Sequence, residues 1–201
     1  ILMNIIFVIE SFAIGGAEKS LVNLLNTVDF TGYEVDVMVF AKGGALETQL
    51  PGFIKLIHHK HSFSFFRRFL FLVRRKLSKK MQIEDIFWQT FHKEVPSVSK
   101  SYNVAIAYGQ GFPTYFVAKK LNADRKIAWV NTDYARAGYN AAFDLDFYEK
   151  MKKIVAVSDA GKEVFEQAFT EKQLAADIIV IEDLLGLPAL EKLAKEPVEI
   201  S

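Results

Sequence analysis

Cysteine is absent from this 201-residue chain, which excludes a disulfide framework and a thiolate-bound metal site. A strong charge of either sign is also absent, because 25 lysines and arginines nearly balance 24 aspartates and glutamates. Since a nucleic-acid partner requires a strongly basic surface, this balance disfavours nucleic acid as a partner. A chain without cysteine is typical of the reducing cytosol, and we expect a cytoplasmic location.

Long hydrophobic runs are missing as well, and no uninterrupted apolar segment is long enough to cross a bilayer. The apolar start ILMNIIFVIE has no basic n-region and no small-residue cleavage site, and Glu10 cuts it short. It therefore predicts a buried strand and not a signal peptide. Apolar residues make up 51% of the chain, enough to bury the core of one large α/β domain or of two small ones.

Apolar, β-branched runs alternate with segments of helical periodicity along the chain. The predicted strands are Met3–Ile9, Glu34–Phe40, Phe53–His58, Tyr102–Tyr108, Lys126–Asn131, Ile154–Ser158 and Ile178–Glu182. The predicted helices are Ala17–Val28, Phe65–Lys80, Pro113–Leu121, Leu145–Met151, Ala160–Ala168 and Pro188–Lys195. This order predicts a doubly wound, mainly parallel Rossmann-like sheet with helices on both faces. We assign residues 1–183 to this domain and residues 184–201 to a terminal helix and linker.

Two adjacent glycines, Gly15 and Gly16, lie where the first apolar run gives way to a helical pattern in IESFAIGGAEKSLVNLL. The amino terminus of a helix offers unpaired N–H groups and a partial positive charge, and it therefore receives anions. Glycine at such a turn lets phosphate or carboxylate oxygens reach these amides without meeting a Cβ atom. The alternative is that both glycines serve only the tight turn between strand and helix.

Two nucleotide-binding motifs that would suit such a turn are absent. A dinucleotide fold needs G-x-G-x-x-G after the first strand and an acid at the end of the second. This chain has SFAIGGAEKS and then VMVFAKGG at those places. The Walker sequence G-x-x-x-x-G-K-[ST] does not occur either. NAD binding and ATP hydrolysis are therefore disfavoured.

The sequence resembles the amino-terminal half of family-4 retaining glycosyltransferases, which have the two-domain GT-B architecture. The residues that carry the resemblance are FVIESFAIGGAEKSLVNLL with YEVDVMVF, then KIAWVNTDYA and KIVAVSDAGKEVF, and the tail VIEDLL with LEKLAKEPVEIS. They extend over nearly the whole chain. The resemblance implies one half of a GT-B fold and a nucleotide-diphosphate sugar as donor substrate, with no tightly bound cofactor.

The resemblance also implies roles for two loops. In that family the double-glycine loop faces the diphosphate of a nucleotide sugar, and Gly15 and Gly16 would take that role here. Family members often carry histidine after the tryptophan-containing strand, where this chain has Asn131, followed by Thr132 and Asp133. Because asparagine cannot carry a proton at neutral pH, we expect this loop to contact sugar hydroxyls and not to supply an acid or base.

Another strand–helix turn, YGQGFPT, follows the fourth predicted strand. We expect Gln110 in this turn to contact an acceptor sugar, and the alternative is a plain turn with a helix cap. The family's carboxyl-terminal domain, which binds the donor nucleotide and carries an E-x7-E motif, has no counterpart in this chain. The resemblance therefore implies half an enzyme that holds the acceptor side, and we assign no catalytic residue to it.

No acidic residue occurs between Lys55 and Gln82, and within this stretch HSFSFFRRFLFLVRRKLSKK predicts an amphipathic helix. The predicted apolar side carries Phe65, Phe66, Phe69, Leu70, Val73 and Leu77. The predicted cationic side carries Arg67, Arg68, Arg74, Arg75 and Lys79, with Phe71 among them. Such a helix is typical of proteins on an anionic membrane surface, and the alternative is a sheet-covering helix with a solvated cationic face.

Three histidines, His58, His59 and His61, lie at the end of the third predicted strand. In an extended segment they point to different faces, and no carboxylate follows nearby. We therefore predict polar surface residues and no metal site.

These features lead to two hypotheses of different class. The first is the acceptor-side domain of a nucleotide-sugar-dependent glycosyltransferase, which transfers a hexose to a cell-envelope or capsular glycan or to a lipid-linked acceptor. It would act in the cytoplasm, peripherally at the inner face of the membrane. The second is a stand-alone, non-catalytic Rossmann-like module for binding or membrane docking.

Overall fold

A computed structural model describes residues 2–60, 62–78 and 81–184 of the chain. Seven strands form one sheet in the order β3-β2-β1-β4-β5-β6-β7, and every neighbouring pair is parallel. The strands are β1 (Met3–Val8), β2 (Tyr33–Val39), β3 (Lys55–His58), β4 (Ser101–Tyr108), β5 (Asn122–Val130), β6 (Lys153–Ala156) and β7 (Asp177–Val180). The doubly wound parallel sheet predicted from the sequence is confirmed.

Six α-helices connect the strands within the described residues. They are α1 (Gly16–Thr27), α2 (Phe65–Leu77), α3 (Ile83–Phe91), α4 (Phe112–Lys120), α5 (Ala141–Tyr148) and α6 (Asp159–Phe169). Short 3-10 turns occupy Glu47–Gln49 and Thr170–Lys172. None of these helices combines the length and the apolar composition needed to span a bilayer.

The continuous hydrophobicity of the central strands has a direct cause in the layers of the fold. Alternate residues of a strand point to opposite faces, and both faces of this sheet are covered. In β1, Phe7 packs into the core beneath α1, whereas Ile6 and Val8 pack into the core beneath α4 and α6. Helix α4 is buried along most of its length, because it lies between the sheet and the neighbouring helices.

The positions of several elements differ from the sequence-based boundaries. Helix α3 was not predicted, although its apolar residues recur at helical spacing and acids occupy its first turn. Helix α5 begins earlier than predicted because the side chain of Asn140 accepts hydrogen bonds from the Ala142 and Phe143 amides. The predicted helix Pro188–Lys195 lies outside the described residues.

The crevice of the fold follows from the strand order. The chain winds outward from β1 through β2 to β3 and then returns to β4 on the other side of β1. Parallel sheets bind ligands at such a reversal, beyond the carboxyl ends of the strands. The loops that follow β1 and β4 border this crevice on opposite sides, and they contain Gly15–Gly16 and Gly109–Gly111 respectively.

The loop after β2 is fixed to the loop after β1 by a close backbone approach at Gly44. The Leu46 amide donates to the Phe12 carbonyl at 3.1 Å, and a Cβ atom on Gly44 would overlap the backbone of Phe12. We expect Gly44→Ala to lower the free energy of unfolding by roughly 1–3 kcal/mol, because the buried backbone of Phe12 must shift. Urea unfolding measures this change.

Gly52→Ala is the matched control, since a Cβ atom there meets nothing within 4 Å. An unchanged urea midpoint for Gly44→Ala would contradict this account of the two loops.

Candidate functional site

The candidate site lies along the carboxyl edge of the sheet, where the loops after β1, β2, β4, β5 and β6 come together. Neighbouring strands are about 4.8 Å apart, so these loops form one continuous surface. Two cavities open on it. We call them the α3–α4 cavity and the β5–α6 cavity after the elements that enclose them.

The double-glycine loop leads directly into α1. Gly15 is the N-cap residue with an extended backbone, φ −152° and ψ 172°, and no side chain caps the helix. A Cβ atom on Gly15 would overlap the flexible carboxylate of Glu18, whereas a Cβ atom on Gly16 would meet nothing within 4 Å. Gly16 also lies outside the positive-φ glycines of the described chain. Neither packing nor backbone conformation therefore requires glycine at position 16.

Gln110 follows β4, and its buried side chain forms three hydrogen bonds within the protein. Its Nε2 donates to the carbonyl of Thr132 at 3.0 Å and to the hydroxyl of Thr132 at 2.8 Å. Its Oε1 accepts from the Asn131 amide at 3.1 Å. This amide therefore positions the loop after β5, and contact of Gln110 with an acceptor sugar stays a prediction.

The other three residues of the predicted sugar-contact group line the β5–α6 cavity, which encloses about 250 Å³. The side-chain Nδ2 and Oδ1 of Asn131 are buried and have no hydrogen-bond partner among the described residues. Thr132 and Asp133 are exposed, and Asp133 accepts from the Arg136 amide at 2.8 Å. Ser158, the N-cap of α6, completes the wall. Asn131 thus has unused hydrogen-bonding capacity next to an open cavity.

The α3–α4 cavity is larger, about 310 Å³, and its walls are mainly aromatic. They are formed by Phe40, Ala41, Phe71, Ile83, Phe87 and Phe112, with the carboxylates of Glu10 and Glu84. Burial raises the pKa of Glu10, and the nearby carboxylates of Glu84 and Glu18 raise it further. The cavity therefore combines an apolar surface with two hydrogen-bond acceptors.

Glu10 and Glu84 were not predicted as site residues, although the sequence carries a signal for Glu10. Glu10 is the first charged residue after the buried run of β1, and β1 is one of the two strands at the reversal of the sheet. Glu84 belongs to the helix that was not predicted. Its Cβ and Cγ lie against Gly111, whose φ is +70°, so this contact depends on the tertiary fold.

Helix α2 is oriented differently from the sequence-based interpretation. Phe71, expected among solvated cations, packs against α3 with ring centroids 5.9 Å from Phe87 and 5.4 Å from Phe91. Arg67 faces the end of α3, where its guanidinium donates to the Thr90 carbonyl. Its Nε lies 3.2 Å from Oε1 of Glu94, in the turn after that helix. The predicted cationic side is therefore partly the docking side of the helix.

The remaining cations of α2 occupy different environments. Arg74 is half-buried on the docking side, whereas Arg68 and Arg75 are exposed. Lys79 lies outside the described residues.

The histidines after β3 serve packing and local contacts. His59 donates from Nε2 to the Pro96 carbonyl at 3.2 Å and lies between the rings of Phe40 and Phe116. His58 Nε2 lies 3.9 Å from Glu47, and His61 is outside the described residues. Within the described part of the chain, no group of three histidine or carboxylate side chains could hold a metal ion.

A buried polar cluster holds α3, α4 and α5 together behind the α3–α4 cavity. The hydroxyl of Tyr115 lies 2.7 Å from Asp85 and 2.6 Å from Asp144, and the Tyr134 hydroxyl donates to Asp144 at 2.5 Å. Since one tyrosine proton cannot serve two carboxylates, the arrangement favours a second proton on a carboxyl group. Burial raises the pKa of Asp85 and raises that of Asp144 to about 6, against opposing hydrogen bonds from the tyrosines.

This cluster makes stability depend on pH. Because the pKa of Asp144 is raised from 3.8 to about 6 in the folded protein, its stabilising contribution is complete below pH 4 and is lost as the pH rises through 6. We expect the free energy of unfolding to fall by roughly 1–1.5 kcal/mol between pH 5 and pH 7.5. Asp144→Asn should flatten this slope in urea unfolding series.

Asp146→Asn, on the exposed side of the same helix, is the matched control and should keep the parent slope. A parent-like slope in Asp144→Asn would refute the assignment to this cluster.

The described fold matches slightly less than half of a longer solved chain. HepE from Anabaena in complex with UDP-glucose aligns over 92% of this chain, with 18% identity and a TM-score of 0.54, and the match covers 45% of the HepE chain. HepE with UDP and glucose gives 18% identity and a TM-score of 0.53, over 92% of this chain and 46% of HepE. The chain therefore spans slightly less than half the length of HepE.

A third structure is more distant. UGT2 from Phytolacca americana, complexed with UDP-2fluoro-glucose and pterostilbene, aligns over 98% of this chain and 57% of its own at 10% identity and a TM-score of 0.42. No family model and no curated protein sequence matches the chain. The likeness to HepE shows the fold, which is the Rossmann-like α/β fold of a GT-B half.

Proposed function

We propose that this chain is the acceptor-side half of a nucleotide-sugar-dependent glycosyltransferase. The observation that carries the proposal is the open space above Gly16 at the amino terminus of α1. Since the fold itself does not need glycine there, a ligand that approaches the backbone amides explains the residue. An anionic ligand suits the partial positive charge of a twelve-residue helix.

The diphosphate of a nucleotide sugar is the anion we propose. HepE, which shares the fold at 18% identity, was solved with UDP-glucose and with UDP, and such ligands carry the required charge. The carboxylate of Glu18, which occupies the space above Gly15, must turn away when the diphosphate approaches that residue. The second half of the GT-B fold would bind the nucleotide.

The acceptor belongs in the α3–α4 cavity. Its aromatic walls suit the apolar face of a sugar or a lipid chain, and the carboxylates of Glu10 and Glu84 can accept hydrogen bonds from hydroxyl groups. Asn131, with Thr132 and Asp133, would contact sugar hydroxyls from the β5–α6 cavity. The acceptor is then a cell-envelope or capsular glycan, or a lipid-linked sugar, at the inner face of the membrane.

In the transfer itself, an acceptor hydroxyl attacks the anomeric carbon of the hexose as the bond to the diphosphate breaks. The proton leaves with the diphosphate, and retention of configuration follows the family resemblance. The amides and dipole of α1 stabilise the negative charge that develops on the leaving group. Basic groups of the second domain would complete this stabilisation.

Gly16→Ala tests the donor site directly. We expect the free energy of unfolding to stay unchanged, because the methyl group meets no atom within 4 Å. We expect the affinity of the full-length protein for UDP-glucose to fall about tenfold or more, a loss of about 1.4 kcal/mol. Isothermal titration calorimetry measures the affinity.

Gly52→Ala again serves as the control, since its site is equally open and lies before β3, away from the crevice. Equal UDP-glucose affinities for Gly16→Ala, Gly52→Ala and the parent would mean that the double-glycine loop serves only the turn.

The mass of the endogenous protein tests the proposed second half. The chain matches 45% of HepE, so we expect an immunoblot of source cells, with antibody raised to this chain, to show a band at about twice the mass of this chain. A band at the mass of the chain itself would favour the stand-alone binding module.

A further inference from the structure

The apolar side of α2 faces solvent instead of the core. Six large apolar side chains on this side are exposed, with Phe65 at 86% and Leu77 at 77% of full exposure. The whole set is Phe65, Phe66, Phe69, Leu72, Val73 and Leu77. An amphipathic helix on a soluble domain normally buries such a side, and a contiguous exposed patch of this kind marks an interaction surface.

The orientation of α2 is fixed by specific contacts with the rest of the domain. Phe71 packs against Phe87 and Phe91, and Arg67 pairs with Glu94. Glu94 also accepts hydrogen bonds at the amino end of the helix, from the Ser64 amide at 3.1 Å and the Ser64 hydroxyl at 2.8 Å. The apolar side is therefore held outward by the docking of the opposite side.

The charges around the patch indicate its occupant. Arg68 and Arg75 are exposed along one flank of the patch, and Lys76 is exposed near its carboxyl-terminal end. None of these three has an ion-pair partner within the described ranges. No acidic residue lies between Glu47 and Glu84 in the sequence. Apolar side chains bordered by unpaired cations complement a bilayer with anionic headgroups.

We propose that α2 lies in the headgroup region of an anionic bilayer with this outward apolar side inserted. The exposed arginines would then lie at the level of the lipid phosphates. This orientation differs from the alternative interpretation of the sequence, a sheet-covering helix with a solvated cationic face.

The orientation also connects the membrane with the α3–α4 cavity. Phe71 lines that cavity from the inner side of the same helix whose outer side meets the lipid. The cavity is thus separated from the bilayer by the width of one helix. Resting on the proposed function, this placement favours a lipid-linked acceptor over a free glycan.

Vesicle sedimentation of the full-length protein tests the proposal, with phosphatidylcholine vesicles that contain phosphatidylglycerol compared with pure phosphatidylcholine. We expect binding to the anionic vesicles only. The double variant Phe65→Ser with Phe69→Ser should lower the partition coefficient at least tenfold, because both rings leave the interface. Phe53→Ser, at a phenylalanine with 55% exposure away from α2, is the matched control and should bind like the parent.

A second pair of variants tests the charge. Arg68→Gln with Arg75→Gln should weaken binding by about 25-fold, since each cation near an anionic surface contributes about 1 kcal/mol, or roughly fivefold. Arg125→Gln with Lys172→Gln removes the same charge from exposed positions elsewhere and should leave binding nearly unchanged.

Three results would overturn the proposal. Equal binding to both kinds of vesicle would mean that the exposed cations do not contribute to binding through anionic headgroups. A dimer in light scattering that Phe65→Ser with Phe69→Ser dissociates, without vesicle binding, would assign the patch to a second copy of the chain. A monomer that binds neither kind of vesicle would mean that another part of the full-length protein covers the patch.

The donor site and the membrane surface can fail independently. Gly16→Ala should bind vesicles like the parent, and Phe65→Ser with Phe69→Ser should bind UDP-glucose like the parent. If the parent protein bound anionic vesicles but did not bind UDP-glucose, the proposed function would be refuted and the proposed membrane surface would be retained.

Discussion

Parallel pairing of β1 with β4 is the constraint on which the rest of the structure depends. The register pairs Ile5 with Val104 and Val8 with Ala107, so both strands end at the same level of the sheet. Because the winding reverses between them, the loops that follow diverge and leave a crevice. The glycine loop before α1 lies on one side, and the turn before α4 lies on the other. The sheet thus positions the site before any functional side chain is considered.

Helix α3 joins the parts of this arrangement. On its buried side, Asp85 contacts the hydroxyl of Tyr115. On another side of the helix, Glu84 and Phe87 line the α3–α4 cavity. Phe87 also contacts Phe71 of α2. A buried carboxylate is costly unless it is neutralised or hydrogen-bonded, and the tyrosine and a shared proton meet this requirement. The shape of the cavity and the orientation of α2 therefore depend on the same short helix.

The strands were predictable because a parallel strand covered on both faces reads as a continuous apolar run. The sheet could therefore be predicted from the apolar runs alone, and all seven predicted strands are present in the structure. Helix α3 was not predicted; it has only nine residues, and the side chain of its N-cap residue Gln82 makes no capping hydrogen bond. The orientation of α2 was beyond a periodicity argument, since amphipathicity shows that two sides differ but not which side meets the protein. Glu94 and Phe91, which decide the orientation, belong to a different segment.

The candidate site was predictable only in part for a related reason. The sequence placed Gln110 at a strand exit, and only the fold shows that its amide bridges to Thr132. Asn131 was selected through the family resemblance, and its side-chain amide, which has no hydrogen-bond partner among the described residues, keeps it a candidate. Strand exits can thus be read from a sequence, whereas the use of each side chain depends on the neighbouring loop.

Two glycines show how structural and functional requirements can be separated by geometry. At Gly44 the backbone of Phe12 fills the space that a side chain would need, so the fold alone explains the residue. At Gly16 the space is open and the backbone conformation is ordinary, so the fold explains nothing. Under the proposed function, an anion bound to the exposed amides of α1 accounts for glycine at this position.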